Sequence, residues 1–123
     1  MRVLLTVWLA LWAVFSIPWG SLTTAAQWER VNPPRVESWG PRAVHVLNFL
    51  FYVPLVPIGA GVGFAAAPLI GAGVALSAAA EAIQLFSTDR FPDPRDVGLN
   101  TAGTLIGAAI VAGVRTRRRP PAR

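Results

Sequence analysis

Eight polar side chains in this 123-residue chain are the ones equipped for chemistry: His45, Asn48, Glu81, Gln84, Arg90, Asp93, Asp96 and Asn100. Glu81 stands inside a long apolar run, where an ionised side chain costs at least ~2.5 kcal/mol unless it is paired or hydrated. Gln84 follows three residues on, on the same helical face. Two chemistries suit this set. One is polar contact with a headgroup at a membrane surface. The other is acid–base work with Glu81 as general base and His45 as its partner. Further chemistries lack the residues. With one histidine, no cysteine and no HExxH-like spacing, His45, Glu81, Asp93 and Asp96 make a poor ligand set, so neither metal nor cofactor is expected. No GxSxG occurs, and Ser77 and Ser87 have no base at a nucleophile's usual spacing.

Each residue also has a structural reading. Glu81 can pair with Arg90, Arg42 or His45. Asp93 and Asp96 can cap a helix. Gln84 and Asn100 can join helices by hydrogen bonds, and His45 can do the same at an interface.

The elements that must position these residues are membrane helices. Apolar residues make up 54% of the chain and charged ones 14%, and the charged share is about half that of a soluble domain. Residues 3–19 are nearly all apolar, and at ~1.5 Å per residue they reach about 26 Å, just enough to cross. A basic start and small residues at Ala25 and Ala26 also suit a signal peptide, but the Trp-rich length favours a retained helix. Trp8, Trp12, Phe15 and Trp19 share one face and are expected to meet lipid or another helix. Residues 20–42 form a loop with Pro33 and Pro34 in it and Trp28 and Trp39 at the interface.

Residues 43–80 contain no Asp, Glu, Lys or Arg. One helix of that length would run about 57 Å, nearly twice the ~30 Å hydrocarbon core. Two crossings are therefore expected, at about 42–62 and 66–86, reversing near 59–68 where Gly59, Gly61, Gly63 and Pro68 gather. Pro54 and Pro57 should kink the first of them. Asp93-Pro94-Arg95-Asp96 is a helix start signal, so a fourth helix is expected at about 96–114, with Gly103 and Gly107 as a close-packing pair open to a partner helix. The predicted fold is all-α: a polytopic membrane protein forming one domain of four transmembrane helices with a basic tail, 115–123.

All eleven basic residues are arginine, which with the Ala, Gly and Pro load fits a GC-rich bacterial coding bias. Five lie in the last nine residues, directly after an apolar helix. This is the pattern of a cytoplasmic anchor rather than of a nucleic-acid surface. Both termini are then cytoplasmic and the partner is the lipid bilayer, with no nucleic acid. Helical spacing gives three polar stripes: His45, Asn48 and Tyr52; Ser77, Glu81, Gln84 and Thr88; and Asp96, Asn100, Gly103 and Gly107. All three stripes fall at similar depth, so the expectation is a polar pocket open to the extracellular side.

The run Glu81-x-x-Gln84-Leu85-Phe86, then Arg90, then Asp93 and Asp96-x-x-x-Asn100-x-x-Gly103-x-x-x-Gly107, resembles the core of the VanZ-like family. These are small integral membrane proteins named after one linked to teicoplanin resistance. Asn48-x-x-Phe51-x-Val53-Pro54-Leu55 is similar to the family's second-helix signature, and Arg42-x-x-His45 to a Lys-x-x-His pattern. Val56 departs from the family's usual glycine and Arg42 from its usual lysine. The resemblance covers about residues 42–110. It implies an envelope membrane protein with a link to glycopeptide resistance, and no demonstrated reaction for most members. The reading that follows is a non-catalytic binding or accessory module for a cell-wall lipid intermediate or a lipophilic glycopeptide. The alternatives are a small membrane enzyme acting on an envelope lipid through Glu81 and His45, and a structural membrane subunit.

Overall fold

A computed structural model describes residues 1–27, 39–88 and 90–117, with residues 39–42 described by backbone alone. Five helices follow one another: α1 (Arg2–Ser16), α2 (Trp39–Tyr52), α3 (Leu55–Gly61), α4 (Ala66–Gln84) and α5 (Pro94–Arg117). Among the described residues the only extended pairing is an isolated bridge between Leu22 and Ser87. The readings placed on Trp28, Pro33, Pro34, Trp39, Arg42 and the tail from Arg118 onward lie outside the described residues or side chains.

Three stretches are long and apolar enough to cross a membrane: Ala43–Gly61, which joins α2 to α3, then α4 and α5. The fourth apolar helix, α1, is shorter than expected. Pro18 is the reason. The residue before a proline is driven out of the helical region, and Ile17 is extended at φ −97° and ψ 123°. The helix therefore stops at Ser16 rather than at residue 19. Its 15 residues rise about 22 Å.

The expected kink at Pro54 is a full break, with Val53 and Pro54 in a turn between α2 and α3. Pro54 has no N–H to offer the carbonyl of Leu50, which accepts instead from Val53 N–H at 3.3 Å. The carbonyl of Phe51 takes the indole N–H of Trp8 at 2.9 Å. Pro57 produces no kink, because it falls in the first turn of α3, whose N–H groups have no helical acceptor in any case. The reversal lies where the glycines predicted it. Gly63 adopts φ +101° between α3 and α4, a conformation that side-chain-bearing residues rarely take. α4 ends at Gln84, two residues early. α5 starts at Pro94 and runs to Arg117, with Arg115 and Arg117 in its last turn, where a helix dipole favours cations.

α5 is the centre of the molecule and packs on α2, α3 and α4. A Cβ on Gly103 or Gly107 would collide with the carbonyl oxygens of Phe49 and Val53. The glycine pair is thus the seat of this chain's own broken helix, in a backbone approach of the Cα–H···O kind. The expectation that this face serves a partner helix is corrected accordingly, because it is already filled. α1 lies against α3 and the end of α2, burying Trp8 and Trp12 beside Tyr52, Leu55 and Ala80. Trp8 stacks on Phe51 at 5.4 Å between ring centroids. The aromatic stripe therefore divides: Trp8 and Trp12 face the bundle, while Phe15 and Trp19 face outward. Val3, Val7, Val14, Leu47, Leu50, Leu105 and Ile110 are also exposed. These side chains form the apolar band that acyl chains require.

Candidate functional site

The start of α2, the end of α4 and the start of α5 meet at one end of the bundle. The opposite end holds the N-terminus beside the end of α3, where Met1 touches Gly61. The spacing placed the three polar stripes at a common depth, and the side chains do meet there.

Asp96 is the hub. Its Oδ1 accepts from Nδ1 of His45 at 2.6 Å and its Oδ2 from the Asn48 amide at 3.0 Å. A carboxylate can only accept, so the Nδ1 proton stays on the imidazole and points at Asp96. Nε2 of His45 is left without a partner among the described residues. Asp96 is buried to 9% exposure and forms the hydrogen-bonded pair that joins α2 to α5. Truncating one partner of such a pair is strongly destabilising, because the other charge or donor stays buried.

Glu81 has a different task. Its Oε2 accepts the backbone N–H of Asp93 at 2.6 Å. Asp93 is the N-cap of α5, and its Oδ1 accepts the Arg95 N–H at 3.0 Å. In a capping box the acid three positions into the helix turns back to the N-cap N–H. Asp96 holds that third position, yet it is turned toward His45 and Asn48. Glu81 reaches across from α4 and takes its place. The cap at Asp93 is as expected, and Asp96 is more than a cap.

Below these residues, Asn100 donates from Nδ2 to Ser77 Oγ at 2.8 Å, and Thr104 Oγ1 donates to the Asn100 carbonyl at 2.9 Å. Asn100 Oδ1 is buried with no hydrogen-bond partner among the described residues. Trp12 donates to the Tyr52 hydroxyl at 2.7 Å. Above them, residues 20–27 fold across the end of α4. Thr23 N–H meets Phe86 O at 2.6 Å, Thr88 N–H meets Ser21 O at 2.9 Å, and the hydroxyls of Ser21 and Ser87 lie 2.9 Å apart.

His45, Asn48 and Asp96 are therefore brought together, Glu81 and Asp93 form a second pair, and Asn100 bonds with Ser77. The side chains of Gln84 and Arg90 have no hydrogen-bond or ion-pair partner among the described residues, and neither Arg90 nor His45 pairs with Glu81. Among the described residues His45 is bonded through Nδ1 to Asp96 and Glu81 through Oε2 to the Asp93 N–H, with no direct bond between the two. The carboxylates at this end are bonded to neighbouring donors. A shallow groove of about 250 Å³ lies at the far end of α5, between Ala109, Ile110, Gly113, Val114 and Arg117. No three His, Asp or Glu side chains among the described residues stand together as a metal would need. Sequence reasoning passed over the Ser21–Ser87 contact and the Trp12–Tyr52 bond. The buried hydroxyl of Ser87 had no signal in sequence, whereas an indole N–H on a helix that also buries aromatic surface did.

A family model described as VanZ/LLP1 matches residues 3–115. No curated protein and no solved structure matches the chain.

Proposed function

The chain belongs to the VanZ/LLP1 family, and on that premise we propose that it is a non-catalytic binding or accessory module of the cell envelope. It crosses the membrane four times and offers its polar end to the headgroup of a cell-wall lipid intermediate or to a lipophilic glycopeptide. The observation that carries this reading is the His45–Asp96–Asn48 cluster. A buried carboxylate orients an imidazole whose Nε2 stays uncommitted among the described residues, and it does so at the end of apolar helices, where headgroups lie. Glu81 supports the cluster by releasing Asp96 from capping. Polar groups this costly at membrane depth are ordinarily kept for function.

The test is susceptibility of the producing cell to a lipophilic glycopeptide, with Asp96→Asn and Glu81→Gln made separately and membrane levels checked. Asp96→Asn is expected to raise susceptibility at normal protein levels. Unchanged susceptibility in both variants would sink the reading.

A further inference from the structure

Among the described residues at the polar end, donors and acceptors do not balance. Each described carboxylate there has an oxygen bound to the protein: Glu81 to the Asp93 N–H, Asp93 to the Arg95 N–H, Asp96 to His45 and Asn48. The described cations are not so bound. The guanidinium groups of Arg90 and Arg95 are exposed and have no hydrogen-bond or ion-pair partner among the described residues. About ten N–H donors, five on each arginine, therefore have no acceptor among the described residues. The N–H groups of Asp93, Arg95 and Asp96 are already taken by Glu81 Oε2, Asp93 Oδ1 and the Asp93 carbonyl, so the side chains carry the attraction.

The surroundings define the second half of the ligand. Arg90 is tied by its own N–H to Ser87 Oγ at 3.0 Å, and Ser87 bridges to Leu22. Leu22, Phe86 and Phe91, all in loops beyond the helix ends, are 46%, 40% and 46% exposed. Apolar loop side chains beside guanidinium groups, level with the ends of membrane-crossing helices, match an amphiphile with an anionic head. A phosphate suits arginine best among common headgroup anions, because the planar fork binds two of its oxygens at once.

We propose that Arg90 and Arg95 hold the phosphate of a lipid, with Leu22, Phe86 and Phe91 against the first part of its tails. This rests on the headgroup-binding reading above and names the class of headgroup. The acyl or prenyl chains stay in the bilayer beside the exposed faces of the helices.

The experiment uses the full chain in phosphatidylcholine nanodiscs, with bound lipid counted by native mass spectrometry. The probes are dioleoyl phosphatidic acid and dioleoylglycerol, which share tails and differ by the phosphate. Phosphatidic acid is expected to be retained saturably and dioleoylglycerol not. The double variant Arg90→Gln with Arg95→Gln should lower retention at least tenfold with helix content unchanged by circular dichroism. Arg115→Gln with Arg117→Gln, at the other end, should leave retention as it was. Equal loss in both double variants would mean general attraction to basic protein and would overturn the proposal. Displacement by millimolar inorganic phosphate would also overturn it, since the site would then take a free anion rather than a lipid. Preference for a neutral glycolipid over phosphatidic acid would reject the anionic class while leaving the headgroup-binding reading standing.

Discussion

Two carboxylates at the polar end do different work. Glu81 is the more conspicuous in sequence, alone in an apolar run, but the fold gives it an ordinary duty: it replaces the missing half of a capping box. Asp96 looks like a cap and is in fact the junction of two helices. The difference can be measured. Asp96→Ala leaves the His45 and Asn48 donors without an acceptor, at about 1–3 kcal/mol for each group left unsatisfied. Glu81→Ala removes one capping bond, worth about 0.5–2 kcal/mol. Unfolding in detergent should therefore show the larger loss for Asp96→Ala, and the reverse order would contradict these assignments. Spacing placed His45, Asn48 and Asp96 at one depth, which is why the cluster was legible before the structure. Which acid faced which donor was not legible. That depends on the rotation of α5 about its axis, and Gly103 and Gly107 set it by seating against α2.

At the scale of elements, prolines and glycines carried most of the readable information. Pro18 ends α1, Pro54 divides α2 from α3, and Gly63 makes the turn into α4. The two prolines acted more sharply than expected because hydropathy runs straight through them, whereas backbone hydrogen bonding does not. The glycines of α5 allow a test with internal controls. Gly103→Ala and Gly107→Ala would press a methyl group into backbone carbonyls that cannot move aside as a side chain can. Overpacking of this sort costs roughly 1–3 kcal/mol or more. At Gly98 and Gly113, on the same helix, an added methyl group would have nothing within 4 Å of it. Their alanine variants should be neutral or slightly stabilising in thermal unfolding, since alanine favours a helix by about 1 kcal/mol over glycine. Equal effects at all four positions would mean that α5 does not seat against α2 through its glycines.

At the scale of the whole molecule, charge is divided by end. Glu81, Asp93 and Asp96, all the described acids, stand at one end beside Arg90 and Arg95, and Arg2, Arg115 and Arg117 belong to the other. That division predicts cytoplasmic termini and an outward-facing cluster. Because the chain has no cysteine, single cysteines report sidedness cleanly. Thr88→Cys should react with an impermeant maleimide on intact cells, and Phe64→Cys, in the opposite turn, only after permeabilisation; the reverse pattern would put the cluster inside. Thr88 is exposed, unlike its neighbour Ser87, which is fully buried. The indole contacts of α1 bear on how the chain is made. Trp8 and Trp12 bond to residues 43 and 40 positions further along. At a synthesis rate of about 5–20 residues per second, α1 is made roughly 2–9 s before those acceptors. During that interval its two indole N–H groups are unanswered, and the arrival of Phe51 and Tyr52 is the event that ties the helix into a folded protein.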